Sequence, residues 1–442
     1  MKKISILLAL ILLLSCFAGC APAADDPAES TGSGQQQEST GSNQQESTGT
    51  SATDGQESTG TNQQESTGTS ATDSQESTGA PVDEPDDDIP EGVLALSGKG
   101  VSARKLAVKY MLDMANLKWS PDHDINFTEF GFDKLVYEAG KTYYGVVYNN
   151  NSTGFEKFCS VLDDNNTYLE SNITWNDWNG WNESPGNSCA TSIEHAWQQI
   201  SPTVEYGYSK DMMPYYKETN VLGVGDIDWS TYNGKNTNTI LKGNDRMVVM
   251  EAYALTHLGD GVVRYWDNGG HALMITKEPE VYRNEDGSVN PVKSFLYLTE
   301  QNNYLNLRRE YPSSWGVDMK MSFTEVYNQG YLPVTIAELQ SDVVPNATFD
   351  VENEPTAEAL AQGSLSCTVE SNYCMNVVKV EILSGDEVVA SAEDYPYKKV
   401  FPCKKLGEAV GLDELAAGEY TLKITAEVGL GSITLVNISF TK

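Results

Sequence analysis

The 442-residue chain carries 63 Asp and Glu against 29 Lys and Arg, a formal charge of −34. Charge of that sign repels phosphate backbones and anionic headgroups, which excludes nucleic acid as an expected partner and excludes electrostatic docking on a membrane. The acidity is uneven, because no Lys or Arg occurs between Lys3 and Lys99, sixteen acids fall in residues 21–92, and residues 93–442 still hold 47 acids against 27 bases.

In chain order, Met1-Lys2-Lys3 and the apolar run Ile4 to Leu14 have the layout of a secretory signal, basic and then apolar, and too short to span a bilayer in the mature protein. Phe17-Ala18-Gly19-Cys20 resembles the lipobox of bacterial lipoproteins. That resemblance implies that residues 1–19 are removed and that Cys20 is lipidated, leaving the chain anchored to the outer face of a bacterial cell membrane without a spanning helix. Residues 20–92 read as a disordered acidic tether, in which Glu-Ser-Thr-Gly recurs from Glu29, Glu38, Glu46, Glu57, Glu65 and Glu76. So few large apolar side chains cannot offset the entropy of ordering. A flexible coil of about 70 residues spans roughly 45 Å root-mean-square.

The remainder reads as α+β in two domains, 93–344 and 345–442. Val101, Leu106, Ala107, Tyr110, Met111, Met114 and Leu117 fall at helical spacing until Trp119-Ser120-Pro121. Trp-, Tyr- and Asn-rich loops follow, then a helix near Ala190–Ile200, then alternating segments at Gly261–Tyr265, His271–Thr276 and Lys293–Thr299. Beyond Pro345 come short alternating runs at the spacing of a β-sandwich. Ala417-Gly418-Glu419-Tyr420-Thr421-Leu422 resembles the late strands of immunoglobulin-like modules on bacterial surface proteins, which implies a spacer or binding accessory.

Seven cysteines occur. Cys16 leaves with the signal and Cys20 takes lipid, so five remain, and an odd number leaves at least one thiol if pairing is intramolecular. Cys403 can bridge to Cys367 or to Cys374, and spacing does not choose between them. Cys159 reads as a core thiol on a helix face. Without His pairs at ligand spacing or a Cys-x-x-Cys, no metal and no cofactor is expected.

Chemistry concentrates at Cys189. Pro185-Gly186-Asn187-Ser188 is a breaker-rich loop, and the apolar stripe Ala190, Ile193, Ala196, Trp197 and Ile200 puts Cys189 at a helix N-terminus. The helix dipole and first-turn N–H groups there favour a thiolate and can stabilise an oxyanion. Among four His, His271 at the head of a strand in Gly269-Gly270-His271-Ala272 is best placed to be its base.

Gly145–Tyr148 as Gly-x-x-Tyr, Cys189 opening a helix, Gly259–Val262 as Gly-Asp-x-Val, and Gly270-His271 together resemble the NlpC/P60 family of cell-wall peptidases on the papain-like fold, over about residues 100–340. The resemblance implies Cys189 as nucleophile, His271 as base, Tyr148 beside the Cys, and peptidoglycan stem peptides as substrate. The chain departs from the family pattern at Ser188-Cys189-Ala190, where Asp-Cys-Ser is common, and in an insertion around Asp211–Asn244.

A third residue follows from hairpin geometry. A turn centred on Asp286 sets His271 opposite residue 301, so parity favours Gln301 as the acceptor that orients the ring, and a one-residue bulge favours Glu300. Trp175, Trp178 and Trp181, at three-residue steps before the nucleophile, can form a groove wall for peptide or glycan, or pack on their own domain. Two functions are therefore expected in competition: a tethered cysteine peptidase or amidase, and a non-catalytic surface lipoprotein that binds peptide or glycan.

Overall fold

The computed structural model describes residues 89–442, apart from 91, 129–131, 133, 170–183, 206, 215–218, 268 and 308. The signal, Cys20, the tether, Trp175, Trp178 and Trp181 lie outside the described residues. Those described form a mixed α+β structure within one compact unit.

Strand β1 (Leu94–Leu96) leads to helix α1 (Ala103–Asn116). Ser102 caps the helix by accepting from the Lys105 N–H, and its buried stripe includes Ala103, Ala107, Met111 and Met114. The chain turns extended at Leu117, so Trp119 lies in β2 (Lys118–Pro121), where it is buried. Then come β3 (Ile125–Asn126), β4 (Val136–Tyr137), β5 (Tyr143–Tyr144), α2 (Gly154–Cys159), β6 (Thr167–Tyr168) and α3 (Cys189–Gln198). Past a short 3₁₀ turn at Ser209–Met212 come β7 (Leu222–Gly223), α4 (Asn238–Gly243), α5 (Arg246–Ala254), β8 (Gly261–Trp266), β9 (Gly269–Glu280), β10 (Phe295–Asn306) and β11 (Ser313–Ser322). The segment closes with α6 (Phe323–Asn328), β12 (Leu332–Thr335) and α7 (Ala337–Ser341).

Nine strands make one sheet in the order β6-β2-β5-β11-β10-β9-β8-β12-β7. Its centre is dry: Ala272 to Ile275 of β9 are all buried, as a strand covered on both faces requires. Helices α1 and α3 pack on each other, and α3 lies on β9 and β10. The N-terminus of α3 is thereby brought beside the head of β9.

Beyond Pro345 lie β13 (Ala347–Glu352), α8 (Ala357–Ala361), β14 (Thr368–Met375), β15 (Val377–Ser384), β16 (Glu387–Asp394), β17 (Lys398–Pro402), α9 (Lys404–Ala409), β18 (Glu419–Val428) and β19 (Gly431–Thr441). They build two four-stranded antiparallel sheets, β1-β13-β14-β17 and β16-β15-β18-β19. Alternate residues of β15 and β18, such as Val378, Val380, Ile382 and Leu422, Ile424, Ala426, are buried between the layers. One strand crosses the expected boundary at 345: Leu94 pairs with Phe349 and Leu96 with Ala347, so a segment preceding α1 completes the later sheet.

Polar groups join the two parts. Glu156 of α2 accepts from Tyr110 (2.7 Å), Tyr397 (2.6 Å) and Asn376 (3.1 Å), and Asn376 also donates to Gln199 (2.8 Å). Burial raises the Glu156 carboxyl above its ordinary value, and the two tyrosine hydroxyls oppose the rise. Cys403 faces Cys367, with its N–H donating to the Cys367 carbonyl at 3.0 Å and the two thiols hydrogen-bonded, whereas burial pushes the separate Cys374 thiol up to about 11. Neither is in a disulfide, and the same holds for Cys159, Cys189 and Cys374.

Candidate active site

The loop before α3 is pinned on both sides. Asn187 donates to the Val147 carbonyl (3.2 Å) and accepts from the Asn149 N–H (2.9 Å), while Tyr148 and Asn187 form an isolated parallel bridge. Gly186 permits this approach, because a Cβ there would stand 2.6 Å from both the Asn149 Cβ and the Val147 carbonyl oxygen. Ser188 then closes a capping box with Thr191: its N–H donates to Thr191 Oγ1 at 2.8 Å, and its hydroxyl accepts from the Thr191 N–H. Cys189 is thus the first helical residue, at the positive end of the α3 dipole.

His271 approaches from β9. It forms a hydrogen bond with Cys189, and its Nε2 donates to Glu300 Oε2 at 2.6 Å, which leaves Nδ1 for the thiol. Burial by itself would lower the imidazole pKa, but the charges of Cys189 and Glu300 outweigh it and push the pKa up to about 10. Glu300 is the reciprocal case: burial would raise its carboxyl, yet His271, a hydrogen bond from Asn302 Nδ2 (2.7 Å) and the Arg264 charge bring it below its ordinary value. The set is therefore an imidazolium held between a carboxylate and a sulfur that the same charge favours as thiolate.

Glu300, and not Gln301, is the residue on the ring. Near the turn Phe295 faces Glu280, but two irregularities along the ladder bring Thr299 opposite Met274, one residue beyond the register of an unbroken hairpin centred on Asp286. Gln301 is fully buried in a different role: its Oε1 accepts from Ser192 Oγ (2.7 Å) and its Nε2 donates to the Val146 carbonyl (2.9 Å). It braces the first turn of α3 against the segment before the nucleophile loop. Tyr148 pairs with Asn187 of that loop in the isolated bridge, and its ring is fully buried edge-on to Phe132 at 5.4 Å.

The other histidines are engaged elsewhere. His195 is bonded to Ser152 Oγ (3.1 Å) and stacked edge-on to Tyr397, and burial brings it down to about 4. His123 and His257 pair with Asp122 and Glu278. Ser192, Asn302 and Arg264 have no role assigned from sequence; Ser192 lies three residues after Cys189 on the same helix, Asn302 adjoins Gln301, and Arg264 is the single base in its strand. No cluster of three or more metal-ligating side chains occurs among the described residues.

No protein-family model matches the chain, and neither the curated proteins nor the solved structures contain a significant match.

Proposed function

We propose that this chain is a tethered extracytoplasmic cysteine hydrolase that cuts amide bonds in peptidoglycan stem peptides. On this reading the residues around the nine-stranded sheet are a papain-like domain of the NlpC/P60 kind, and the C-terminal sheets are an immunoglobulin-like accessory. A lipid on Cys20 and the repeat tether would hold both parts near a bacterial membrane. The carrying observation is the chain of contacts from Cys189 at a helix N-terminus to His271 and on to Glu300 at 2.6 Å.

The chemistry follows from those groups alone. The Cys189 thiolate attacks the carbonyl carbon, forming the C–S bond, while the α3 N-terminus stabilises the oxyanion. His271 gives its proton to the leaving amine as the C–N bond breaks. A water then loses its proton to His271 and attacks the thioester, releasing the acid and restoring the thiolate–imidazolium pair. Glu300 keeps the ring oriented throughout and favours its charged form before the amine leaves and after the water is deprotonated.

One observation favours the competing reading of a non-catalytic binding lipoprotein: Cys189 is 1 % and His271 6 % exposed, so the dyad is covered. Digestion of purified peptidoglycan by the full-length protein separates the two. New amine and carboxyl ends seen by mass spectrometry, and lost in Cys189→Ala, support hydrolysis; no cleavage by the wild type would leave the binding reading.

A further inference from the structure

Cys367 and Cys403 occupy opposed positions where β14 meets β17. Thr368 faces Pro402, Val369 faces Phe401 and Glu370 faces Val400, and the next step of that ladder brings Cys367 opposite Cys403. The Cys403 N–H donates to the Cys367 carbonyl at 3.0 Å, which continues the pairing past the end of both strands. Opposed residues that share a backbone hydrogen bond have Cα atoms about 5.5 Å apart, inside the range of about 4.4–6.8 Å that a disulfide spans. Closing a bond there asks for movement of side chains and not of backbone.

The two side chains share one buried face. Cys367 is 1 % and Cys403 0 % exposed, beside the buried Val369 and Phe401. Cys403 is the N-cap of α9 yet makes no side-chain capping bond, and its thiol donates instead to Cys367. That bond holds the Cys367 thiol below its ordinary pKa and marks it as the first attacker. Cys374 lies at the far end of β14, roughly 20 Å from Cys367 at ~3.3 Å per residue, and is out of reach.

We propose that Cys367 and Cys403 are a modification site, oxidised to a disulfide by exchange with a low-molecular-weight disulfide, and that Cys374 has no part in it. The Cys367 thiolate attacks one sulfur of the reagent and expels the other as a thiolate. The Cys403 sulfur, having lost its proton, then attacks Cys367 and expels the second. One protein S–S bond forms, the reagent's S–S bond breaks, and two electrons and two protons pass to the two reagent thiols. An exported chain, as proposed above, meets such oxidants. The closed loop runs from β14 through β15 and β16 to β17, strands of both four-stranded sheets, so the bond constrains the unfolded chain across the whole C-terminal part. It requires no activity at Cys189.

The test is to unfold the full-length protein under reductant, refold it in a mixture of glutathione and glutathione disulfide, alkylate it, and digest it without reduction. The expected product is one linked pair of peptides carrying Cys367 and Cys403, two hydrogens lighter than their sum, in the wild type, in Cys374→Ser and in Cys189→Ala alike. Because both sulfurs are buried, the bond should resist dithiothreitol in the folded protein and be lost quickly on unfolding. The bridged protein should melt about 4–10 °C above the same protein refolded and melted in dithiothreitol. Cys367→Ser should melt at one temperature in both conditions. Linkage of Cys374 to either residue, or refolded wild type with Cys367 and Cys403 both alkylated, overturns the proposal. A bridge that leaves the melting temperature unchanged overturns the constraint assigned to the loop.

Discussion

Ser192 and Gln301 tie the nucleophile helix to the strand that carries Glu300, the Ser192 hydroxyl donating to the Gln301 amide oxygen at 2.7 Å inside the core. The same amide donates to Val146, so three separate segments of the chain are registered through one side chain. A cysteine and a histidine on different elements need such a brace, because a displacement of about 1 Å costs a reaction far more than it costs a fold.

Gln301→Ala should therefore act first on stability. It removes one partner from the Val146 carbonyl, which keeps Trp315 Nε1 at 2.8 Å, and one from the Ser192 hydroxyl, which keeps the Ser188 carbonyl at 2.8 Å, so each lost hydrogen bond costs about 0.5–1.5 kcal/mol. A lower denaturant midpoint with unchanged slope is the expected result. Hydrolysis should fall only modestly at temperatures where the variant stays folded. If the variant matched Cys189→Ala in activity while keeping wild-type stability, Gln301 would belong to the chemistry and not to the brace.

Glu300→Gln should lower the hydrolytic rate by something on the order of 10 to 10⁴, because the ring loses both its orienting acceptor and the charge that favours imidazolium. Asn302→Ala should cost less, since Glu300 retains His271 and the Arg264 charge. Steady-state rates of the three proteins give the ranking wild type, Asn302→Ala, Glu300→Gln. The reverse order would contradict the contact geometry.

The raised His271 pKa fixes a pH window. Folded His271 titrates at about 10 and unfolded histidine at about 6.5, so its contribution to stability is fully present below about 6.5 and is lost as pH rises to about 10. Hydrolysis should have an alkaline limb near the upper value, where His271 can no longer protonate the leaving amine. In Glu300→Gln that limb should move to lower pH. Alkaline limbs at the same pH in the two proteins would mean that Glu300 does not sustain the imidazolium.

How much of this was readable follows from how local each signal is. Cys189 and His271 were legible because a breaker loop followed by an apolar helical stripe, and a glycine pair heading an apolar strand, are each written within a dozen residues. Glu300 against Gln301 was left open because ladder irregularities arise from packing between strands, and no local residue pattern marks them. Residues 94–96 joining β13 were missed for a similar reason: the partners lie some 250 residues apart, and three residues carry too little periodicity to read. Arg264 drew no notice because a single charge in a strand looks solvated until the Trp266 and Tyr331 rings beside it are seen.

Tyr397 offers a test of the junction between the α+β part and the C-terminal sheets. Its hydroxyl donates to Glu156 at 2.6 Å and accepts from the Glu156 and Lys157 N–H groups at 3.0 and 3.2 Å, so Tyr397→Phe strips several contacts while keeping the ring. Destabilisation of about 1–3 kcal/mol is expected from the buried groups left unpaired. Thermal unfolding followed separately at the helical and the β signals should show both shifting together. A shift confined to one signal would mean that the two parts unfold independently.

Cys189 and His271 should behave as one unit. The helix terminus and the imidazolium both favour the thiolate, and the same imidazolium later supplies the proton to the leaving amine, so either loss removes most of the activation. Cys189→Ala should reduce hydrolysis by something on the order of 10⁴ to 10⁶, and His271→Ala by nearly as much. The double variant should be little worse than either single one, since the second substitution removes a helper with nothing left to help. Circular dichroism should report a folded protein in all three, although His271→Ala also leaves Glu300 a buried carboxylate without its 2.6 Å partner and should lower the melting temperature. Additive losses would show that the two residues work independently, and full activity in folded Cys189→Ala would end the thiol mechanism.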